Sequence, residues 1–348
     1  MDVLRIGGSR DIRHRSYAPG VEIPLLGAKE RNTLVILGAG ATRGAEFVDK
    51  DALVPPPLDN DFFQVLQMSQ TGRTAEGRQL VDHVRTVYGP ALDVGLETVF
   101  NSLDAARVFH STFNITKGRI LEEPSRLIDA LRVVLPALLG ETIGDDCGYH
   151  NALSGRLRVG DAVVSLNYDC VADRALANHA GFRFDAERGG YGVPVSSGAD
   201  LWRRSGRGKR PLGSILLLKL HGSLNWRSGT TPLRLRADPY REVASGVIAP
   251  PLTNKPVEQE PFRSIWREAR RAIGRMRRLI IIGYSMPDAD GLVRTLLATD
   301  LSPHLEDILI VDPSDGVREK HIALFTRIAP AARVFPFRTW SQFAQTLG

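Results

Sequence analysis

The stretch Leu34-Val35-Ile36-Leu37-Gly38-Ala39-Gly40-Ala41-Thr42 decides the fold. Four apolar residues run without polar alternation, the mark of a strand covered on both faces, and stop at two glycines that let the backbone turn tightly. Amides exposed in such a turn, at the start of a helix, suit an anion, so residues 38–42 suggest the pyrophosphate of a dinucleotide. The third glycine of the usual fingerprint is missing, and no acidic residue ending a second strand can be placed about 20 residues on. A plain tight turn would use the same residues.

Outward from this stretch the pattern recurs. Residues 162–166 run into Asn167-Tyr168-Asp169, 215–220 into His221-Gly222-Ser223, 279–282 into Gly283-Tyr284-Ser285, and 308–311 into Asp312-Pro313-Ser314, with one more strand at 333–337. Apolar runs bounded by breakers predict an α/β fold, a Rossmann-like doubly wound parallel sheet. Between the first and second runs, residues 61–161 are mostly helical in spacing: Leu127, Leu131, Val134, Leu135 and Leu138 share one helix face. A large helical insertion over about residues 62–160 is therefore expected within one nucleotide-binding domain, 31–348. Residues 1–30 read as an N-terminal extension, and the Gly-, Ser- and Arg-rich segment 181–213 as a loop or flap.

Composition narrows the class. The 348 residues, 43% hydrophobic and 24% charged, fit a globular chain and exclude collagen-like and disordered readings. Apolar runs are too short to span a bilayer, and the opening MDVLRIGGSRDIRHRS carries charges where a signal peptide needs its apolar core, so a cytoplasmic protein without a membrane partner is expected. Two cysteines, Cys147 and Cys170, are too few for a four-thiolate zinc module, and no metal is expected. Of 45 basic residues only seven are Lys. With the high use of Ala and Gly, that skew reads first as the codon bias of a GC-rich genome, and only then as affinity for nucleic acid or an acidic partner. Segment 261–278 reads as an amphipathic helix, with Ile265, Ala269, Ala272, Ile273 and Met276 on one side and Arg263, Arg267, Arg270, Arg271, Arg275 and Arg278 largely on the other. A solvated face is its first reading and an acidic partner its second. Nucleic acid is expected only indirectly, since no DNA-binding motif accompanies it.

The strand ends carry the chemistry. Asn167 and Asp169, an amide and a carboxylate one residue apart, suit a ribose and a carboxamide better than hydride transfer. His221 ends the next strand on the same sheet edge and is followed by a glycine that keeps the approach open. Residues 55–63, PPPLDNDFF, supply a rigid loop with Asp59, Asp61 and two aromatic rings, although a turn and helix cap would use the same residues.

In this order, GAGAT (38–42), SLNYD (165–169), KLHGSLNW (219–226) and IIGYSMPDAD (281–290) resemble the sirtuin superfamily, and more closely its bacterial sirtuin-like branch, whose members hydrolyse NAD during antiphage defence. GLETVF (95–100) is similar to the acidic helix motif of that branch's insertion. The resemblance spans residues 31 to about 315. It implies that Gly38, Ala39, Gly40 and Thr42 surround the pyrophosphate of NAD, which is the substrate, and that Asn167 and Asp169 lie beside the nicotinamide ribose and carboxamide. It makes His221, with Asn167, catalytic. It places Gly283 and Ser285 over the phosphate and ribose, and Asp312 at the adenosine ribose. Asp61 and Phe62 are similar to the Asp-Phe of the sirtuin cofactor loop, at a different spacing. The chain departs from protein-deacylating sirtuins in having Leu166 where they have Gln, and in lacking their Cys-rich zinc module. NAD hydrolysis is thus the expectation. A deacylase, a non-catalytic NAD or ADP-ribose sensor, and a nucleic-acid or partner-binding module are the alternatives.

Cleavage of the nicotinamide–ribose bond passes through an oxocarbenium-like state. Asn167 is expected to orient water or the ribose hydroxyls, and His221 to accept a proton. Nicotinamide leaves neutral, so amides and one histidine are expected to suffice where a glycosidase uses two carboxylates. After residue 315 the chain holds only one more strand and an apolar tail around Trp340 and Phe343, with no room for a sensor domain. Activation is therefore expected through a homo-oligomer or a separate protein, at the Arg face of 261–278 or the loop 202–210. The resemblance suggests a HerA-type ring ATPase, or a short Argonaute.

Overall fold

The structure is a computed structural model that describes residues 32–44, 54–113, 124–144, 147–195, 214–228, 232–235, 247–248, 257–287 and 290–347. The expected extension 1–30, the loop 202–210 and the second half of the expected flap lie outside them.

Ten strands are described. They are β1 (Thr33–Leu37), β2 (Ala162–Ser165), β3 (Leu216–Lys219), β4 (Gly222–Ser223), β5 (Trp226–Ser228), β6 (Arg234–Leu235), β7 (Val247–Ile248), β8 (Arg278–Ile282), β9 (Asp307–Val311) and β10 (Arg333–Phe337). Six form one sheet in the order β10-β9-β8-β1-β2-β3, every pair parallel. Small antiparallel ribbons, β4 with β7 and β5 with β6, follow β3. All residues of β1, β2, β3, β8 and β9 are buried, which is why these strands read as unbroken apolar runs. From β1 the chain builds outward through β2 and β3 on one side, then returns to lay β8, β9 and β10 on the other. This is the Rossmann-like doubly wound order, and its switch point lies between β1 and β8.

The helix expected over 261–278 ends earlier, at Phe262–Ile273, with Ile265, Ala269, Ala272 and Ile273 buried and Arg263, Arg267, Arg270 and Arg271 outside or at the rim. Arg278 is a correction to its expected place on the solvent face. It opens β8, is 1% exposed and lies 3.4 Å from the buried Asp307, because strand pairing fixes it inside the sheet.

The helical insertion lies between β1 and β2. Helices Phe62–Met68, Ala75–Tyr88, Leu96–Thr112 and Pro124–Thr142 bury a second apolar core, which includes Phe62, Phe63, Leu80, Phe100 and Leu131, and Gly148–Arg156 leads back to the sheet. Thr74 caps the second helix, accepting from Gly77 N at 3.0 Å. Val171 and Leu224, from the loops after β2 and β3, belong to this second core, and Tyr168 packs against it. The insertion therefore sits on the C-terminal ends of β2 and β3, where doubly wound sheets bind ligands. Among the described residues, no helix is long and apolar enough to cross a membrane.

Candidate active site

At the switch point the loops after β1 and β8 touch through their glycines. Gly283 has φ +57°, and a Cβ on Gly40 would stand 2.8 Å from Gly283 Cα, so neither position accepts a side chain without moving backbone. The turn was expected to expose amides to an anion. Three of them are already taken: Gly38 N donates to Ile282 O (3.0 Å), Gly40 N to Gly283 O (2.9 Å) and Ala41 N to Gly38 O (2.9 Å). These glycines are thus required first by the packing of two loops. Ala39 and Ser285 remain exposed beside them and Gly40 and Gly283 half-buried, while Thr42 is buried beneath. Trp340 Nε1 donates to Ala41 O at 2.9 Å and holds the turn from below.

Thr42 joins this turn to the end of β2. Its hydroxyl donates to Asp169 Oδ2 at 2.7 Å and itself accepts from Asn167 Nδ2 at 3.2 Å. Asn167 Nδ2 also donates to Gly38 O (2.9 Å), and the second oxygen of Asp169 accepts from Val171 N (3.1 Å). Lys219, at the end of β3, has no exposed surface. Its ammonium donates to the carbonyl of Asp169 and to Asp173 Oδ2 (3.0 Å). Burial opposes that ammonium, but the charges of Asp173, Cys170 and Asp169 outweigh it and the pKa of Lys219 is raised. Tyr191 and Asn225 donate to Asp173 as well, so the charge beneath the loop is fully engaged.

His221, 5% exposed, has its Nε2 3.4 Å from Asp290 Oδ1, and Asp290 Oδ2 accepts from Tyr284 OH at 3.3 Å. Tyr168 tilts against the histidine, ring centroids 6.2 Å apart. Two further carboxylates come from the insertion side. Asp59 Oδ1 accepts from Glu97 N at 2.8 Å, and a Cβ on Gly95 would strike the Asp59 carboxylate, which explains the glycine opening GLETVF. Burial raises Tyr168, and the charges of Glu97, Asp290 and Asp59 raise it further; burial and Asp290 do the same to Tyr284. Burial, assisted by Asp290, also raises Asp59 against its bond from Glu97. The site therefore concentrates negative charge around one histidine and two neutral phenols. Amides and a single histidine were expected here, and carboxylates stand beside them. The insertion and the loop after β8 bring carboxylates that are remote in sequence. Among the described residues, no group of His, Cys, Asp and Glu side chains is arranged to hold a metal ion.

Other sequence candidates lie apart from this cluster. Asp312 immediately follows β9 and is 8% exposed. Burial raises its pKa although its Oδ1 accepts from Ser314 N at 2.9 Å. Asp61 pairs with Arg43 (2.6 Å) and accepts from Leu58 N (2.7 Å), while Phe62 is 1% exposed in the second core, edge-on to Phe63. The structure thus brings Thr42, Asn167 and Asp169 together, sets His221 on the neighbouring strand end, and turns Phe62 away into the insertion. Sequence reasoning quoted Asp290 and Lys219 within motifs but assigned them no role. Asp290 precedes Gly291 at a helix start and reads as an ordinary cap; only its side-chain contacts distinguish it.

No protein-family model and no curated protein matches the chain. Solved structures similar to it are Sir2 enzymes. One is a complex of a Sir2 homolog with NAD, 12% identical with a TM-score of 0.40, over 91% of this chain and 86% of that chain. Another, described as the structural basis for the mechanism and regulation of Sir2 enzymes, is 12% identical with a TM-score of 0.39, over 92% of each chain. Sir2Tm bound to a propionylated peptide is 14% identical with a TM-score of 0.39, over 91% and 92%. The strand order defines an α/β protein of the Rossmann-like, doubly wound class, with a buried polar cluster at its C-terminal sheet edge.

Proposed function

We propose that the chain is an NAD hydrolase that cleaves the nicotinamide–ribose bond, releasing nicotinamide and ADP-ribose. The observation that carries this reading is the convergence of Thr42, Asn167 and Asp169 on one hydrogen-bonded cluster beside His221, all buried at the C-terminal sheet edge. Amide and carboxylate groups of this kind bind ribose hydroxyls and a carboxamide, and the phenols and carboxylates around them suit a reaction that develops positive charge on the sugar. As the C1′–N bond breaks, its electron pair leaves with neutral nicotinamide. Water adds to C1′, and its proton passes to His221 and then to solvent. Asp312 serves the adenosine ribose, while Ala39 and Ser285, exposed at the switch point, face the phosphates.

The motif resemblance supports a role as an NAD-depleting effector of antiphage defence in the cytoplasm. A homo-oligomer, or a HerA-type ATPase or short Argonaute partner, would switch it on. The test is NAD consumption by the purified chain, alone and with candidate partners, with nicotinamide and ADP-ribose quantified. Asn167→Ala and His221→Ala should each lower turnover by about 100-fold or more while keeping the wild-type circular dichroism. Full activity in His221→Ala would refute the mechanism. Faster consumption with an acetyl-lysine peptide than with NAD alone would establish the deacylase instead.

A further inference from the structure

We propose that Asp290 is the positioning residue for His221, fixing its tautomer so that Nδ1 is the atom that accepts the proton. This rests on the hydrolase reading above. Asp290 immediately precedes the helix Gly291–Asp300 and occupies its cap position, where an Asp ordinarily accepts from the helix's own first amides. It makes no such bond. Its carboxylate instead reaches across to the β3 end, with Oδ1 3.4 Å from His221 Nε2 and Oδ2 accepting from Tyr284 OH. Both side chains of the pair are more than nine-tenths buried. A carboxylate only accepts, so the imidazole nitrogen facing it carries the hydrogen and the lone pair lies on Nδ1. The same carboxylate stabilises the imidazolium that forms when Nδ1 takes the proton of the attacking oxygen, which bonds to C1′ as nicotinamide departs.

The loop that presents Asp290 is held in place. Asp290 N donates to Pro287 O (3.1 Å), Lys320 Nζ donates to Met286 O (2.5 Å), and His321 Nε2 lies 2.7 Å from Tyr284 O. Burial lowers the pKa of His321, and because a carbonyl only accepts, its Nε2 donates. Met286 has φ +53°, a strained conformation for a residue with a side chain, which this anchoring sustains. Pre-organisation of this kind matters more than the strength of the single contact, because an orienting carboxylate acts by restricting the ring.

The titratable and charged groups around the pair are Tyr284 and Arg294 on its own segment, Tyr168 from the β2 end, and Asp59 and Glu97 from the insertion side. An isosteric Asp290→Asn keeps all of these side chains and removes only the charge that raises Tyr168, Tyr284 and Asp59. That variant should lower kcat by about 10- to 100-fold with KM for NAD within about twofold. Asp290→Glu should recover part of kcat, and Tyr284→Phe should show a smaller loss of the same kind. Histidine-selective 15N spectra, with His221→Gln assigning the resonance, read the tautomer without turnover. Wild type should show Nε2–H, and Asp290→Asn a mixed or reversed tautomer. An unchanged His221 ring signal in Asp290→Asn would overturn the proposal. If wild type fails to consume NAD, the hydrolase reading falls, and the ring spectra still decide whether Asp290 sets the tautomer.

Discussion

The hydroxyl of Thr42 donates to Asp169 Oδ2 at 2.7 Å across 127 positions of sequence, tying the turn after the first sheet strand to the end of the second. Thr42 is 3% exposed and Asp169 6%, and Asn167 shares the same hydroxyl, so one buried side chain organises both ligand-type groups. Thr42→Val should leave Asp169 short of a buried donor. The expected cost is about 1–3 kcal/mol in denaturant unfolding, together with a loss of NAD turnover of about tenfold or more. Thr42→Ser should restore both. Wild-type turnover in Thr42→Val would show that the cluster is not part of the site.

Lys219 and Asp173 form a buried ion pair beneath the same loop. Lys219→Met removes the cation and leaves Asp173 buried with only neutral donors. The expected destabilisation is about 3–5 kcal/mol, read from the shift of the denaturation curve. Lys219→Met with Asp173→Asn should regain a substantial part, since no charge is then stranded. A double variant less stable than the single would contradict this account.

Acid stability is set by two buried groups of opposite sign. Burial, with Arg174 assisting, lowers His150 from 6.5 to about 3, and burial raises Asp161 from 3.8 to about 6 despite its bonds from Thr33 and Arg158. For His150 the unfolded chain binds the proton more readily, so the stability it contributes is complete above pH 6.5 and is lost as pH falls toward 3. For Asp161 the folded chain binds the proton more readily, so stability is lost as pH rises from 3.8 through 6. The His150 window is the wider, and the chain should lose stability on acidification below pH 6.5. His150→Gln should flatten or reverse this trend in urea unfolding between pH 4 and 7, and Asp161→Asn should steepen it. An unaltered pH dependence in His150→Gln would refute the assignment.

Asp312 follows β9 with one oxygen on Ser314 N, and in the adenosine-ribose role proposed above its carboxylate would accept from a hydroxyl and oppose a 2′-phosphate. Calorimetry with the His221→Ala chain, which does not consume the ligand, should find NAD bound about tenfold or more tighter than NADP. Asp312→Asn should narrow that preference. Equal binding of the two dinucleotides by the Asp312-containing chain would remove Asp312 from the adenosine site.

Five of the six main strands were legible in the chain itself because they are buried along their length and so read as nearly continuous apolar runs, while the partly exposed edge strand β10 was legible through Val334, Phe335 and Phe337. The helix carrying Leu127, Leu131, Val134, Leu135 and Leu138 was legible too, since all five lie on its buried face. So were the strand-end motifs, because breakers mark where each run stops. What sequence could not supply was which motif meets which. The 3.4 Å approach of Asp290 to His221, the gathering of Asp59 and Glu97 on the same site, and the burial of Arg278 against Asp307 arise from parallel strands that pair residues far apart in the chain. Local composition encodes burial and turns, which depend on a residue and its near neighbours. Electrostatic partnership depends on strand order and on the docking of the insertion over the sheet edge, and only the tertiary structure decides those.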